Sequence, residues 1–183
     1  MLGAFVRVIL WLVAGLVVLM GAVMLVFLVP HSLYWRSREE TLAGADPTRR
    51  ALVVYQPGLG PRTREAALSL AQGLSDAGYT VILNRPGRHL PTDLSAYRLV
   101  AFGSPVYAGR TSPALRRYLR SVTGYGQAAI ILFTSGGDPD NDNTGQLAAL
   151  VPPERILHRV KFLATQDNRA AARSLGRDLG SRD

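Results

Sequence analysis

The chain has 183 residues, a formal net charge of +8, no cysteine and a single lysine, Lys161, so its positive charge is almost entirely arginine. The lack of cysteine excludes a lipid-modified cysteine anchor. The three histidines are scattered along the chain, so no zinc site is predicted. No recognised nucleic-acid motif and no strip of alternating basic and aromatic residues is present, so we expect no nucleic-acid partner.

The chain begins with a long apolar segment. Residues 8–29 carry no charged or strongly polar side chain, and as a helix they would be roughly 33 Å long, against a hydrocarbon core of about 30 Å. The run ends in Val29-Pro30-His31, without the small-x-small pattern of a signal-peptide cleavage site. We therefore predict that residues 1–30 form a single-pass anchor in the cell membrane, in contact with lipid.

The arginines around this segment predict its orientation. Arg7 precedes it, whereas Arg36, Arg38, Arg49 and Arg50 follow it. Positive charge is enriched on the cytoplasmic side of membrane spans. We therefore expect the rest of the chain in the cytoplasm, with residues 31–49 as a linker and residues 50–183 as one domain.

Strands alternate with helices throughout the predicted domain. In chain order, we predict a strand over 51–56, a helix over 63–77, strands over 79–83 and 98–103, a helix over 112–122, a strand over 127–134, a short helix over 144–150, a strand over 156–164 and a helix over 168–179. This alternation predicts an α/β fold, in which helices cover both faces of a parallel sheet. Ligands bind such sheets beyond the carboxyl ends of the strands, where the strand order switches.

Three loops rich in glycine, proline and small polar residues follow strands at that edge, over 57–63, 104–111 and 135–143. In the first loop, Gly58 and Gly60 would let the backbone approach a ligand, and the next helix would offer free N–H groups to a phosphate. Arg62 would add a bidentate contact and Thr63 a hydroxyl. An ordinary tight turn between strand and helix is the simpler interpretation of this loop alone.

The first loop matches one nucleotide-binding motif in part and lacks the key residues of another. Gly58 and Gly60 match the dinucleotide fingerprint, but Thr63 stands at its third glycine. Asn84-Arg85 stands where the ribose-binding acid is expected, and arginine there would suit the extra phosphate of NADP. A P-loop is excluded, because it requires Gly-Lys-Ser/Thr and the only lysine is distant.

The second loop reads Gly-Ser-Pro-Val-Tyr-Ala-Gly over residues 103–109, and the third reads Phe-Thr-Ser-Gly-Gly-Asp over residues 133–138. Both segments resemble the flavodoxin-like superfamily, and the similarity extends over about residues 51–179. It looks closest to the membrane-associated and oxygen-independent protoporphyrinogen-oxidase-like branches. The resemblance implies a three-layer sandwich around a five-stranded parallel sheet of order 2-1-3-4-5, with FMN bound noncovalently.

The resemblance also implies a role for each loop. The first would hold the ribityl phosphate, through Gly58, Leu59, Gly60, Arg62 and Thr63. The second would stack Tyr107 on the isoalloxazine ring and offer backbone bonds to it, through Ser104, Pro105, Val106, Ala108 and Gly109, with Arg110 near the ring favouring a reduced anionic flavin. The third would cover the other ring face, through Thr134, Ser135, Gly136, Gly137 and Asp138.

The first loop departs from the family pattern, since Pro57 and Pro61 lack N–H groups and only Thr63 matches a hydroxyl position. Three hypotheses follow. The chain is a membrane-tethered FMN protein that exchanges electrons with a membrane partner or a lipid-soluble substrate such as a quinone or porphyrinogen. Alternatively, it is a flavin-free binding or scaffold module, or an NADP-binding reductase.

Overall fold

A computed structural model describes residues 7, 10–22 and 38–182, and the chain divides into two compact units, Met1–Trp35 and Arg36–Asp183. In the first unit, residues 10–22 are helical and expose large apolar side chains, such as Trp11 at 79% and Val18 at 71%. The rest of the predicted span, 8–9 and 23–29, lies outside the described residues. Within the described ranges, no helix is both long and apolar enough to span a bilayer.

The described residues of the second unit, 38–182, form seven strands and four α-helices. In chain order they are β1 Glu40–Leu42, β2 Asp46–Tyr55, α1 Arg62–Asp76, β3 Tyr79–Asn84, β4 Leu99–Tyr107, β5 Arg110–Thr111, α2 Pro113–Ser121, β6 Ala129–Gly136, α3 Gly145–Ala148, a 3-10 turn Pro153–Arg155, β7 Ile156–Leu163 and α4 Arg169–Gly180. The predicted α/β alternation is confirmed, with most boundaries shifted by a few residues.

The strands form one sheet of order β1-β3-β2-β4-β6-β7, and β5 pairs with β4. The strands β3, β2, β4, β6 and β7 are parallel, which confirms the predicted five-stranded core with its switch of order beside β2. The expected strand count was too low, because β1 and β5 add antiparallel pairs at β3 and β4. Part of the predicted linker, residues 40–49, supplies β1 and the start of β2.

Helices cover both faces of the sheet, as expected. On one face α1 and α4 pack on alternate strand residues such as Val53, Ala101 and Phe133. On the other face α2 and the segment over 90–97 pack on the intervening residues, such as Val54 and Phe102. Strands buried on both sides explain why the β2, β4 and β6 sequences are almost continuously apolar.

The two helical layers use side chains of different size. Glycines let α1 and α4 approach closely, since a Cβ on Gly73 would lie 2.1 Å from the Arg173 carbonyl oxygen and one on Gly176 would lie 2.3 Å from that of Leu70. Large side chains attach α2 to the sheet, because Leu115, Tyr118 and Leu119 are buried.

Candidate functional site

The carboxyl ends of β2, β4 and β6 lie side by side, because β4 pairs with both of the other strands. The three glycine-rich loops therefore leave the sheet at one edge, as predicted. The chain passes from β2 through α1 to β3 on one side, and from β3 to β4 on the other. The first and second loops thus flank the point where strand order switches, which is the usual ligand position in such sheets.

The second loop is a tight hairpin. Strand β4 continues to Tyr107, beyond its predicted end, and turns into β5 with Tyr107 paired to Arg110. The two turn residues, Ala108 and Gly109, have φ angles of +48° and +71°. A two-residue hairpin of the type I′ kind requires positive φ at both positions, which disfavours alanine by about 1–2 kcal/mol.

The third loop holds this hairpin in place. The side-chain amide nitrogens of Asn143 and Gln146 donate to the Gly109 carbonyl at 3.1 and 2.7 Å. The Gln146 side-chain oxygen accepts from both the backbone N–H and the hydroxyl of Thr111. The hairpin tip is therefore rigidly attached to the start of α3, although its turn residues are exposed.

Tyr107 joins the second loop to the first. Its hydroxyl accepts the Leu59 N–H at 2.5 Å, and a Cβ on Gly58 would lie 2.9 Å from the same oxygen and 3.2 Å from the Thr63 hydroxyl. A side chain at position 58 would therefore displace the Tyr107 hydroxyl. The side chain of Tyr107 lies over the first loop, and the residue is 41% exposed.

The first loop leads into α1, whose N-terminus has no side-chain cap. The first backbone bond of the helix runs from Glu65 N–H to the Pro61 carbonyl, so the preceding N–H groups of the first turn have no acceptor within the helix. Arg62 makes an ion pair of 3.2 Å with Glu65. These features leave backbone donors and a guanidinium beside the loop, with one carboxylate already close to that guanidinium.

A further acidic group lies near Arg62. The hydrogen bonds from Arg169, together with the positive charges of Arg169 and Arg62, lower the pKa of Asp167 to about 2. Asp167 is therefore ionised throughout the neutral range, and an anion bound at the start of α1 would meet it together with Glu65.

A small cleft separates the second and third loops. It has a volume of about 190 Å³, and it is lined by Val106, Ala108, Gly109, Gly136, Gly137, Asp138, Asn141, Asn143 and Lys161. The Lys161 ammonium donates to the carbonyls of Asp138 and Asn141, so it fixes the third loop and adds positive charge to the cleft wall.

Some of the expected site residues are exposed at the carboxyl edge of the sheet, and others are buried beneath it. Those open at the edge are Leu59, Gly60, Tyr107, Ala108, Gly109, Arg110, Gly137 and Asp138. A Cβ on Gly60, Gly109 or Gly137 would meet nothing within 4 Å, which leaves open space beside three backbone segments.

Several other expected site residues lie beneath the surface. Ser104 is fully buried, and its hydroxyl accepts the Ser112 N–H at 2.8 Å and donates to the Pro105 carbonyl. Its role in the structure is to connect β4 to the N-cap of α2. The other buried members are Thr63, Pro105, Thr134, Ser135 and Gly136.

Two buried oxygens at this edge lack hydrogen-bond partners among the described residues, namely the side-chain Oε1 of Gln56 and the hydroxyl of Thr134. Gln56 follows β2 directly and is 7% exposed. Thr134 pairs with Ser104 across the sheet. Buried polar atoms usually have a hydrogen-bond partner. These two oxygens are therefore free to accept hydrogen bonds from a group other than the described protein atoms.

The end of β3, where the NADP hypothesis placed Asn84 and Arg85, is occupied by protein. The Asn84 side-chain oxygen accepts the backbone N–H groups of Arg38 and Arg85, and the residue is 1% exposed. The segment preceding β1 therefore uses the Asn84 side-chain oxygen that a ribose would need.

No family model matches the chain. No curated protein is similar to it in sequence. Solved structures are similar in fold. They include flavodoxin 1 from Bacillus cereus, at 13% identity and TM-score 0.56, covering 69% of this chain and 94% of that one. An NADH:FMN oxidoreductase in its apo form matches at 12% identity and TM-score 0.55, covering 74% and 89%. The chain has a flavodoxin-like fold.

A third similar structure is larger. The rubredoxin:oxygen oxidoreductase of Desulfovibrio gigas matches at 18% identity and TM-score 0.58, over 75% of this chain but only 37% of its own length. The similarity therefore concerns one part of that protein. Within the flavodoxin-like fold of the present chain, the cleft and the three open glycines lie at the carboxyl edge of the sheet, beside the switch in strand order.

Proposed function

We propose that this chain binds FMN at the carboxyl edge of the sheet and works as a redox protein attached to a membrane. The observation that carries the proposal is the convergence of the three loops in a flavodoxin-like fold. Tyr107 connects the first loop to the second, and the cleft separates the second from the third. Both flavodoxin 1 and the NADH:FMN oxidoreductase have this fold.

The phosphate of FMN would bind at the start of α1. The free N–H groups of the first turn and the partial positive charge of the helix N-terminus favour an anion there. Arg62 also lies at the start of α1. Its guanidinium would bind the phosphate and give up part of its ion pair with Glu65. Gly60 leaves space beside the loop.

The ring would lie against the hairpin and the third loop. The open backbone at Gly109 and Gly137 permits close approach, and Tyr107 provides an aromatic surface. Arg110 and Lys161 add positive charge, which would favour an anionic reduced ring. FMN supplies the electron-transfer chemistry, whereas these residues bind it, orient it and set the local charge.

Membrane attachment would come from the N-terminal unit. The apolar run over residues 8–29 is long enough to cross the hydrocarbon core, and its described part is a helix with exposed apolar side chains. Attachment would raise the local concentration of the redox domain near a membrane partner or a lipid-soluble substrate. The arginines after the run favour a cytoplasmic domain.

The visible spectrum of the full chain, purified in detergent, tests FMN binding. We expect flavin absorbance and close to one FMN per chain, measured by fluorescence after release. Folding is checked by circular dichroism and cooperative melting. A folded chain that carries no flavin and takes up no added FMN would contradict the proposal.

Substitutions at the first loop refine the test. Arg62→Gln should weaken FMN binding about tenfold and leave riboflavin binding unchanged, since only FMN carries the phosphate. Arg173→Gln, on the outer side of α4, is the matched control and should change neither affinity. An equal loss of FMN and riboflavin affinity in Arg62→Gln would exclude a phosphate contact.

A second candidate function is a flavin-free binding module, which one observation favours. The Tyr107 hydroxyl already accepts the Leu59 N–H, and Pro57 and Pro61 supply no donors. Tyr107→Phe separates the two candidates. If FMN competes for the Leu59 N–H, removing the hydroxyl should raise FMN affinity, whereas a flavin-free module should bind no FMN in either form.

A further inference from the structure

Helix α2 presents three arginines on the side opposite its buried residues. Arg117 and Arg120 are exposed and Arg116 is half-buried. None of the three makes an ion pair within the described part of the chain, although seven other arginines do. We call Arg116, Arg117 and Arg120 the α2 arginine face.

The chain around this face contains no acidic residue. Residues 94–137 carry five arginines and no aspartate or glutamate. Asp93 and Asp138 flank this stretch. Asp93 forms a bridge with Gly124 beyond the end of α2, and its carboxylate accepts the Ser95 N–H. The positive charge of the α2 arginine face is therefore not neutralised by its own segment.

The arrangement costs stability rather than adding it. Arg116 and Arg120 are four residues apart, and Arg117 and Arg120 are three apart, so each pair brings like charges together on the helix surface. The apolar side of α2 is already used, because Leu115, Tyr118 and Leu119 are buried in the domain. The helix cannot insert an apolar face elsewhere, so it would engage a partner through charge alone.

We propose that the α2 arginine face docks the domain onto anionic phospholipid headgroups. The inference rests on the membrane attachment proposed above, which would make the bilayer the nearest large anionic surface. Guanidinium groups bind phosphate in a bidentate manner, and basic residues near an anionic leaflet each add favourable energy. A partner with an inserted apolar contact would require exposed apolar side chains on α2, and the three large ones are buried.

The experiment uses the full chain reconstituted into vesicles of phosphatidylcholine, with or without 30 mol% phosphatidylglycerol. The chain lacks cysteine, so Thr123→Cys beside α2 and Ser174→Cys on α4 each give a single fluorophore site. Quenching by a headgroup-labelled lipid then reports which side of the domain approaches the bilayer. We expect stronger quenching at position 123 than at 174, only with phosphatidylglycerol, and its loss at high salt.

The decisive variant replaces Arg116, Arg117 and Arg120 with glutamine. We expect the ratio of docked to undocked domain to fall on the order of 100-fold. The matched control replaces Arg169, Arg173 and Arg177 on α4, which changes the net charge equally but removes arginines that already have carboxylate partners. This control should retain docking.

Two results would overturn the proposal. The first is equal quenching at position 123 with and without phosphatidylglycerol. The second is docking that survives the α2 substitutions. Polyglutamate, added to the chain in vesicles of pure phosphatidylcholine, tests an acidic protein as the alternative partner. If polyglutamate binds through the three arginines and phosphatidylglycerol has no effect on docking, the α2 arginine face belongs to an acidic protein instead. Flavin content and retention in vesicles, measured on the same samples, keep a failure of docking distinct from a failure of FMN binding or membrane attachment.

Discussion

The two helical layers of the domain treat the same residue type in opposite ways. The layer of α1 and α4 contains five arginines, and each has a carboxylate partner: Arg62 with Glu65, Arg64 with Glu40, Arg169 with Asp167, and Arg173 and Arg177 with Asp76. The three arginines of α2 have no such partner within the described residues. Arginine in the first layer is paired with carboxylates of the same domain, and Arg64, Arg173 and Arg177 connect different elements. Arginine in the second layer remains available to a partner.

Packing follows the same division. The α1–α4 contact depends on small residues that let two backbones approach, whereas α2 is attached by large apolar side chains. A layer held by close backbone contact is sensitive to added atoms, and one held by side-chain volume is sensitive to removed atoms. Four predictions test this contrast, in order of decreasing effect.

Truncation should be most harmful in the α2 layer. Leu115 is fully buried against the sheet, so Leu115→Ala should lower the free energy of unfolding by about 2–5 kcal/mol. Urea unfolding of the full chain in detergent measures the change. A loss below about 1 kcal/mol would mean that α2 is not attached through this side chain.

Enlargement should be most harmful in the α1–α4 layer. Gly176→Ala places a Cβ 2.3 Å from the Leu70 carbonyl oxygen, and the helices must move apart. We expect a loss of about 1–3 kcal/mol, despite the better helix propensity of alanine. Gly137→Ala is the control, because its Cβ meets nothing within 4 Å; equal losses in both variants would exclude the proposed close contact.

Charge removal should have opposite signs in the two layers. Asp76→Asn removes the partner of Arg173 and Arg177, and we expect a fall in melting temperature of up to about 3 °C. Glutamine at Arg116, Arg117 and Arg120 relieves like-charge pairs of about 0.2–0.5 kcal/mol each, so stability should hold or rise slightly. A clear loss in the α2 variant would reveal a structural role for its arginines.

The smallest expected effect is on the stability of the folded state at low pH. Because the Arg169 hydrogen bonds lower the pKa of Asp167 from 3.8 to about 2, this carboxylate stabilises the folded state above pH 3.8. That contribution disappears as the pH falls through about 2. Carboxyl NMR titration measures the pKa directly. Arg169→Gln should move it upward toward 3.8, and an unchanged value would assign the shift to another cause.

The sequence predicted the parallel core because its signals are local and repeated. Apolar runs such as Ala51–Tyr55 and Ile130–Phe133 mark strands buried on both faces, and the glycine-rich segments that follow them mark the ligand edge. The short strands β1 and β5 had no such signal, since three and two residues carry no periodicity. The hairpin turn was also hard to predict, because its two residues are Ala108-Gly109 and not the Asn-Gly pair that usually marks a two-residue hairpin.

The candidate site was predicted by segment but not by side chain. The bond from Leu59 N–H to the Tyr107 hydroxyl joins residues 48 apart, and no spacing pattern predicts it. The burial of Ser104 follows from its contact with the N-cap of α2, which is equally non-local. Lys161 lies within the predicted strand over 156–164. Its position at the ligand edge depends on its register with Thr134 in the neighbouring strand, and the sequence does not determine that register.

The strand β1 has a consequence for how the domain behaves when it is isolated. It covers the outer edge of β3, whose sequence Tyr-Thr-Val-Ile-Leu-Asn is apolar and rich in β-branched residues. A fragment that starts at Arg50 would leave that edge bare and would also cut β2. Bare edges of this composition recruit strands from other molecules, so such a fragment would aggregate, whereas one that starts at Arg36 would keep its edge closed.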